Sequence, residues 1–164
     1  MKKHIKPFIT FFACLICAGA FAQTLPDAIR LTDNEQYQKA KAEFLQLVAK
    51  EPTNGDNFYY FGDLLLKTGD LDSAKILFKK GVDINPTNPL THVGMARYLL
   101  SIGNAPEGEK EIVNAKMLVQ TQAGKIDMNM DAKRQAVIDL EIAETEILSS
   151  SPNFDDALNL TKQA

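Results

Sequence analysis

Apolar and small residues recur along this chain with a period of 34 residues, and the pattern predicts its architecture. Six positions define the period in the first unit: Ala28, Leu31, Tyr37, Ala40, Phe44 and Pro52. One period later the same residue classes stand at Gly62, Leu65, Leu71, Ala74, Phe78 and Pro86. A third, weaker copy lies at Ala96, Leu99, Ala105, Gly108, Ile112 and Gln120, where the proline is lost. Self-similarity at this spacing is typical of stacked helix-turn-helix units that bury their apolar faces against one another.

Within each unit the apolar residues are spaced for helices, and turn residues separate them. The spacing predicts helices over residues 24–34, 37–50, 56–68, 71–84 and 90–101, and from 106 to about 121. Gly69 supplies a left-handed stop, Asp70 can cap the next helix, and Asn88 with Pro89 forms a cap and first-turn proline. Further helices are predicted over 132–148 and from Phe154. Because no strand pattern occurs, the expected fold is all-α.

The period divides the chain into units and shows where they become irregular. Three repeats are expected over about 23–54, 55–88 and 89–121, followed by a loop or insertion over 122–131. The pair Phe154 and Ala157 then repeats the spacing of Ala105 and Gly108, but at an offset of 49 residues rather than 34. Residues 132–164 are therefore interpreted as a fourth, divergent or incomplete repeat.

The first 22 residues have the layout of a secretory signal peptide. A basic start precedes an apolar stretch over 8–18, and Ala20-Phe21-Ala22 offers small residues around a cleavage point before Gln23. A retained membrane anchor is the competing interpretation, although 8–22 is shorter than the roughly 20 residues that span a bilayer. Both cysteines, Cys14 and Cys17, lie in this segment, and a lipoprotein is a minor alternative. The prediction is an exported protein, periplasmic or associated with the outer envelope.

Charge and composition narrow the function classes. Cleavage would remove three lysines and no acid, leaving 15 basic and 21 acidic residues and moving the net charge from -3 to -6. Such a surface disfavours nucleic acid and anionic lipid as partners, and no membrane insertion is expected after cleavage.

Catalytic chemistry has little raw material in the mature chain. It would hold one histidine, His92, and no cysteine, so zinc and triad chemistry are not expected. His92 replaces Phe58 of the preceding repeat and is interpreted as a packed core residue, and Met117 as core or loop filler. Asp127, Asn129 and Asp131 resemble a calcium loop only faintly, because the following glycine and distal glutamate are missing. The expectation is no enzyme, no cofactor and no metal.

Several motifs resemble the tetratricopeptide repeat (TPR). They are Phe58 and Phe61 before Gly62, then Gly69-Asp70, Ala74, Phe78 and Asn85-Pro86. The resemblance implies an α-solenoid, a right-handed superhelical array of antiparallel helix pairs with about three to four repeats. The small residue at Gly62 or Ala96 would let paired helices approach closely, while Phe44 and Phe78 would fill the gap to the next unit.

The resemblance also implies a concave groove, lined by the first helices of the repeats, that binds a protein or peptide segment. The candidate groove residues, expected on the helix side opposite the core stripe, are Tyr59, Asp63, Leu66, Lys67, Val93, Arg97 and Leu100. Tyr59 and Asp63 do not reproduce the basic and amide cluster with which one subclass holds a C-terminal carboxylate. An ordinary solvated face is the simpler interpretation of each of these residues.

Two functions are compatible with these features. The first is a non-catalytic protein-protein interaction module of the cell envelope, whose partner the sequence does not identify. The alternative is a set of N-terminal spacer or docking repeats in a longer envelope protein, whose activity lies beyond residue 164. The last predicted helix stops five residues short of where Pro52 and Pro86 stand in their units. It is either a capping helix or part of a longer chain.

Overall fold

The computed structural model describes residues 24–123 and 132–150, which form seven α-helices and no strand. The helices are α1 (Leu25–Asp33), α2 (Tyr37–Lys50), α3 (Gly55–Lys67), α4 (Leu71–Ile84), α5 (Pro89–Ser101), α6 (Ala105–Ala123) and α7 (Ala132–Ser150). The all-α prediction is confirmed, and the predicted helix ends agree to within two residues. Helix α6 runs through Ala123, into the segment expected to be a loop. The signal segment, the rest of that loop and the helix from Phe154 lie outside the described residues.

Side chains cap the N-termini of four of the described helices. Thr24 caps α1, Asn54 caps α3, Asp70 caps α4 and Asn88 caps α5, each accepting a hydrogen bond from a backbone N–H of the first turn. Such a bond satisfies one of the donors that a helix start leaves without an intrahelical partner. The two asparagines are one period apart, so the same device opens two successive repeats.

The turn inside each helix pair uses a left-handed residue at one repeated position. Glu35, Gly69 and Gly103 have φ values of 57°, 79° and 79°, and they follow one another at the 34-residue period. This conformation costs glycine nothing but crowds the Cβ of other residues. The prediction for Gly69 is confirmed, and Glu35 adopts the same conformation with a side chain.

The helices form two rows. The first-row helices are α1, α3, α5 and α7, and the second-row helices are α2, α4 and α6. Short turns join α1 to α2, α3 to α4 and α5 to α6, and these pairs pack together. Helix α5 also packs against α3 and α4 of the preceding pair, and α7 packs in the same way against α5 and α6. Helix α7 therefore occupies the place of the first helix of a fourth unit.

Phe44 and Phe78 form the centre of the core between successive units. Phe44 is buried and stacks on Phe61 of the next pair, with ring centroids 5.5 Å apart. The Phe78 ring lies against both Gly62 and Gly94, so closely that a Cβ on either glycine would overlap the ring. The predicted roles of Gly62, Phe44 and Phe78 are thus confirmed, and Gly94 is a second close-approach site.

The burial of individual residues agrees with the predicted pattern at some positions and departs from it at others. His92 is 9% exposed, as expected of a core position, whereas Met117 is 56% exposed and is not core filler. Among the described residues, α6 packs mainly against α5 and α7, which leaves part of its surface exposed. The expectation that Leu71 lies on the buried stripe is wrong, because Leu71 is the first residue of α4 and is exposed. No described helix is both long enough and apolar enough to cross a membrane.

Candidate binding groove

All four first-row helices contribute to one cavity of about 260 Å³, which we call the groove. Helix α1 forms one wall and α7 the other, while α3 and α5 supply the charged floor between them. The lining residues are Ile29, Thr32, Asp33, Phe44, Tyr60, Asp63, Lys67, Arg97, Val137, Leu140, Glu141 and Glu144. The cavity thus joins the two ends of the described array.

A buried network centred on Arg97 forms the floor. The Arg97 guanidinium lies 2.9 Å from the carboxylate of Glu141 on α7 and 3.3 Å from that of Asp63 on α3. Its side chain is only 7% exposed. Lys67, one helical turn after Asp63, lies 2.9 Å from the same Asp63 carboxylate. Two cations and two carboxylates therefore neutralise one another across three first-row helices.

The Tyr59 hydroxyl completes this network. It accepts a hydrogen bond of 3.0 Å from Arg97 and donates one to the carboxylate of Glu141. Burial raises the pKa of Tyr59 well above its ordinary value, so the hydroxyl keeps its proton. Tyr59 therefore acts as a neutral bridge between α3 and α7.

Burial raises the pKa of both carboxyl groups, Asp63 and Glu141, and the neighbouring cations lower it. For Asp63, burial favours the neutral form, but Arg97 and Lys67 outweigh it and hold the pKa below its ordinary value. For Glu141, burial is dominant and raises the pKa, which Arg97 and the Tyr59 hydroxyl offset only in part. Asp63 is the firmly ionised partner of Arg97, and Glu141 is the more easily protonated one.

The structure places the seven predicted groove residues differently from the expectation. Five are buried, namely Tyr59, Asp63, Val93, Arg97 and Leu100, while Leu66 and Lys67 are partly exposed. The expectation that they form a solvated face is therefore wrong for these five. Only Asp63, Lys67 and Arg97 line the groove. Whether any of the seven binds a partner stays a prediction.

Packing between helices explains the burial. Leu100 points towards Gly108 on α6, its side chain lying 3.0 Å from where a glycine Cβ would stand. Tyr59 lies against Phe78 of α4 and Gly94 of α5. The position of a residue along a helix shows which face of the helix it lies on. Whether that residue is exposed to solvent depends on how the neighbouring helices pack against that face.

Sequence reasoning missed the groove walls. Asp33 on α1 and Leu140 and Glu144 on α7 line the cavity, and Leu140 is 58% exposed. The only sequence signal for this wall is that α7 is apolar on more than one side. Because the register breaks before α7, adding the period to Arg97 does not lead to Glu141.

A second crevice of about 280 Å³ lies between α6 and α7. It is lined by Lys116, Val119, Gln120, Asp139, Ile142, Ala143 and Glu146. Ile147, 53% exposed, adds an apolar side chain to the outer surface of α7. Within the described ranges, no group of His, Cys, Asp and Glu side chains could hold a metal ion.

The sequence and the fold are similar to those of known helical-repeat proteins. Residues 31–89 match the family model described as tetratricopeptide repeat. Anaphase-promoting complex subunit 3 of Schizosaccharomyces pombe is 34% identical over 64 residues, which are 38% of this chain. The match spans only 10% of the length of that relative.

Solved structures of the Yersinia enterocolitica type III secretion translocator chaperone SycD share the fold. One, an alternative dimer, has a TM-score of 0.54 at 16% identity, covering 77% of this chain and 91% of that chain. Another, in complex with a peptide of the translocator YopD, has a TM-score of 0.53 at 16% identity, covering 85% and 96%. At this identity the likeness concerns the fold alone. The chain thus carries a segment, residues 31–89, that matches the tetratricopeptide repeat, within an all-α helical-repeat fold.

Proposed function

We propose that this chain is a non-catalytic protein-protein interaction module that holds a protein or peptide segment in the groove between α1 and α7. The observation that carries the proposal is the groove itself. Four helices from successive units converge on one cavity with apolar side chains on its walls and a charged floor. A cavity that combines apolar surface with a few fixed polar groups is the usual form of a binding site.

The buried network supports this assignment because it makes the floor rigid. Arg97, Glu141 and Tyr59 hold one another in place before any partner arrives, so binding would order few floor side chains. The fold likeness to a chaperone solved with a bound peptide is a second support.

The test is affinity isolation with a matched pair of surface variants of the full chain. Leu140→Gln removes an exposed apolar side chain from the groove wall, and Ile76→Gln removes one, 65% exposed, from α4 outside the groove. Leucine and glutamine have similar helix propensities, so the Leu140 variant should fold normally, which circular dichroism checks. Leu140→Gln should recover less of the partner that wild type isolates, and Ile76→Gln as much. Equal recovery by all three proteins would contradict the proposal.

The proposed location is the cell envelope, reached by export and cleavage of residues 1–22. The basic start, apolar stretch and small residues before Gln23 support it. N-terminal sequencing of the protein from the envelope fraction should find Gln23 as the first residue. A mature chain that retains Met1 would contradict cleavage.

A second candidate function, as spacer or docking repeats for a further part of a longer protein, is favoured by the crevice between α6 and α7. Ala143 in that crevice and Ile147 beside it present apolar surface at the end of the described array. If the native protein is longer, its additional part should cover this surface and reduce the exposure of Ala143 and Ile147. Hydrogen exchange of α7 in that protein, equal to exchange in the 164-residue chain, would count against the docking role.

A further inference from the structure

We infer that the segment bound in the groove inserts a lysine or arginine side chain between α1 and α7, an inference that rests on the proposed function. Four acidic residues line the groove, Asp33, Asp63, Glu141 and Glu144, against two basic residues, Lys67 and Arg97. The described lining therefore has an excess of two negative charges.

Both basic residues are already engaged by the floor. Arg97 is paired with Asp63 and Glu141, and Lys67 is paired with Asp63. The two acids that remain, Asp33 and Glu144, form no ion pair with the described residues. Glu144 is close enough to Glu141 to raise its pKa, which is a repulsion between two acids, whereas Asp33 is close enough to Lys67 to favour its charged form without forming an ion pair.

The excess charge comes from opposite walls. Asp33 belongs to α1 and Glu144 to α7, so an ammonium or guanidinium group entering the cavity is attracted from both sides. A carboxylate there would be repelled by both walls, and the floor has no unengaged cation to receive it.

The apolar part of the lining suits the aliphatic stem of such a side chain. Ile29 on α1 and Val137 and Leu140 on α7 provide apolar surface on the walls, and Phe44 and Tyr60 complete it. Lysine and arginine place an aliphatic stem against apolar surface while the charged end reaches polar groups. A volume of about 260 Å³ is smaller than that of most small-molecule sites and matches one or two inserted side chains.

The experiment selects binders from a phage-displayed library of random peptides on the immobilised full chain. The selected peptides should carry a lysine or arginine flanked by apolar residues. One such lysine peptide is then synthesised with two relatives, in which norleucine or glutamate replaces the lysine. Norleucine keeps the stem without the charge. The norleucine peptide should bind more weakly than the lysine peptide, and the glutamate peptide should bind most weakly of the three.

Two double variants test whether the groove acids are responsible. Asp33→Asn with Glu144→Gln removes two charges from the walls, and the affinity for the lysine peptide should fall about threefold to tenfold. Asp72→Asn with Glu109→Gln removes two exposed charges from α4 and α6, outside the groove. This matched control should leave the affinity close to that of wild type. Unequal losses separate local attraction from the overall charge of the protein.

The outcomes distinguish failure of this inference from failure of the proposed function. If the selected peptides lack a basic residue but lose affinity for Leu140→Gln, the groove binds a segment and the basic side chain is wrong. Equal losses in the two double variants would also overturn the inference. If no peptide is enriched, or enriched peptides bind Leu140→Gln as they bind wild type, both are contradicted.

Discussion

The guanidinium of Arg97 on α5 lies 2.9 Å from the carboxylate of Glu141 on α7, so a buried ion pair joins two successive first-row helices. The 34-residue period does not relate these two residues, because the register breaks between them. The pair nevertheless performs the task that apolar packing performs between the regular units. It fixes the last described helix against the array.

Replacing Arg97 should be the most damaging change in this network. Arg97→Met leaves Asp63 and Glu141 without their shared buried cation, and we expect a loss of about 3 kcal/mol in the free energy of unfolding. Lys67→Met should cost less than about 1 kcal/mol, because Lys67 is 28% exposed and Asp63 keeps Arg97. Urea unfolding followed by circular dichroism measures both. Equal losses would show that Arg97 is not the centre of the network.

The α5–α7 link itself can be measured with a double-mutant cycle. Arg97→Met and Glu141→Gln, alone and together, should show a coupling of about 1–3 kcal/mol, since the two groups touch. The matched cycle of Arg97→Met with Glu146→Gln, whose carboxylate pairs with Lys116 instead, should give no coupling. Additive losses in the first cycle would contradict the ion pair.

Gly94→Ala should destabilise the protein, although alanine is the better helix former. Its Cβ would overlap the Phe78 ring and lie 3.1 Å from Tyr59, so we expect a loss of about 1–3 kcal/mol. Gly108→Ala is the control, because the nearest atoms to its Cβ would be those of the Leu100 side chain at 3.0 Å and the Ala96 carbonyl oxygen at 3.4 Å, which is less crowded than the Phe78 ring at Gly94. The helix-propensity gain of about 1 kcal/mol should offset that contact. Thermal unfolding that ranks Gly94→Ala as equal to or more stable than Gly108→Ala would contradict this packing.

Glu35→Gly should stabilise the chain by about 0.5–1 kcal/mol. Glu35 has a φ of 57°, which glycine adopts without strain, and the equivalent positions Gly69 and Gly103 are already glycine. Conversely, Gly69→Ala should cost about 1 kcal/mol for conformational reasons alone, since no atom beyond the residue itself and its two chain neighbours lies within 4 Å of the added Cβ. Urea midpoints measure the two changes, and shifts of the same sign would be evidence against this account.

His92 and Glu111 should make the stability depend on pH. Nδ1 of His92 lies 2.7 Å from the Glu111 carboxylate and Nε2 lies 2.9 Å from the Pro86 carbonyl oxygen. The bond to Glu111 raises the pKa of His92 above 6.5, the Pro86 carbonyl adds to this, and burial opposes it. The bond from His92 lowers the pKa of Glu111 below 4.5. The stabilisation from His92 is complete below pH 6.5 and is lost as the pH rises through its raised pKa. That from Glu111 is complete above pH 4.5 and is lost as the pH falls through its lowered pKa.

The pair should therefore stabilise the fold most between pH 4.5 and 6.5. In that window His92→Gln should lower the free energy of unfolding by about 1 kcal/mol, and the difference from wild type should shrink at alkaline pH. Glu111→Gln should reduce the same dependence from the other side of the pair. Urea unfolding across this range measures both variants. A difference that stays constant with pH would mean that the imidazolium is not involved.

The helices and the inner core follow from the sequence because they depend on local spacing. Phe44 and Phe78 occupy the same register position. Their neighbours, Phe61 for Phe44 and Gly62 and Gly94 for Phe78, lie about half a period away along the chain. The groove depends on how successive units rotate against one another, which the spacing of residues along one helix does not contain. The sequence therefore identifies Arg97 as a first-helix residue but does not predict its burial, because its partner Glu141 comes from beyond the break in the period.

The convergence of α1 and α7 on one cavity has a consequence for how this chain unfolds. In a linear stack each helix pair is stabilised only by its neighbours, so the ends can open while the middle stays folded. A bound segment that contacts Ile29 on α1 and Leu140 on α7 at the same time would connect the first and last described helices directly. With the occupant bound, neither end could open without breaking contacts at the other. Hydrogen exchange should therefore show one cooperative opening of all the helices in the bound protein, whereas in the unbound protein the terminal helices should exchange before the central ones.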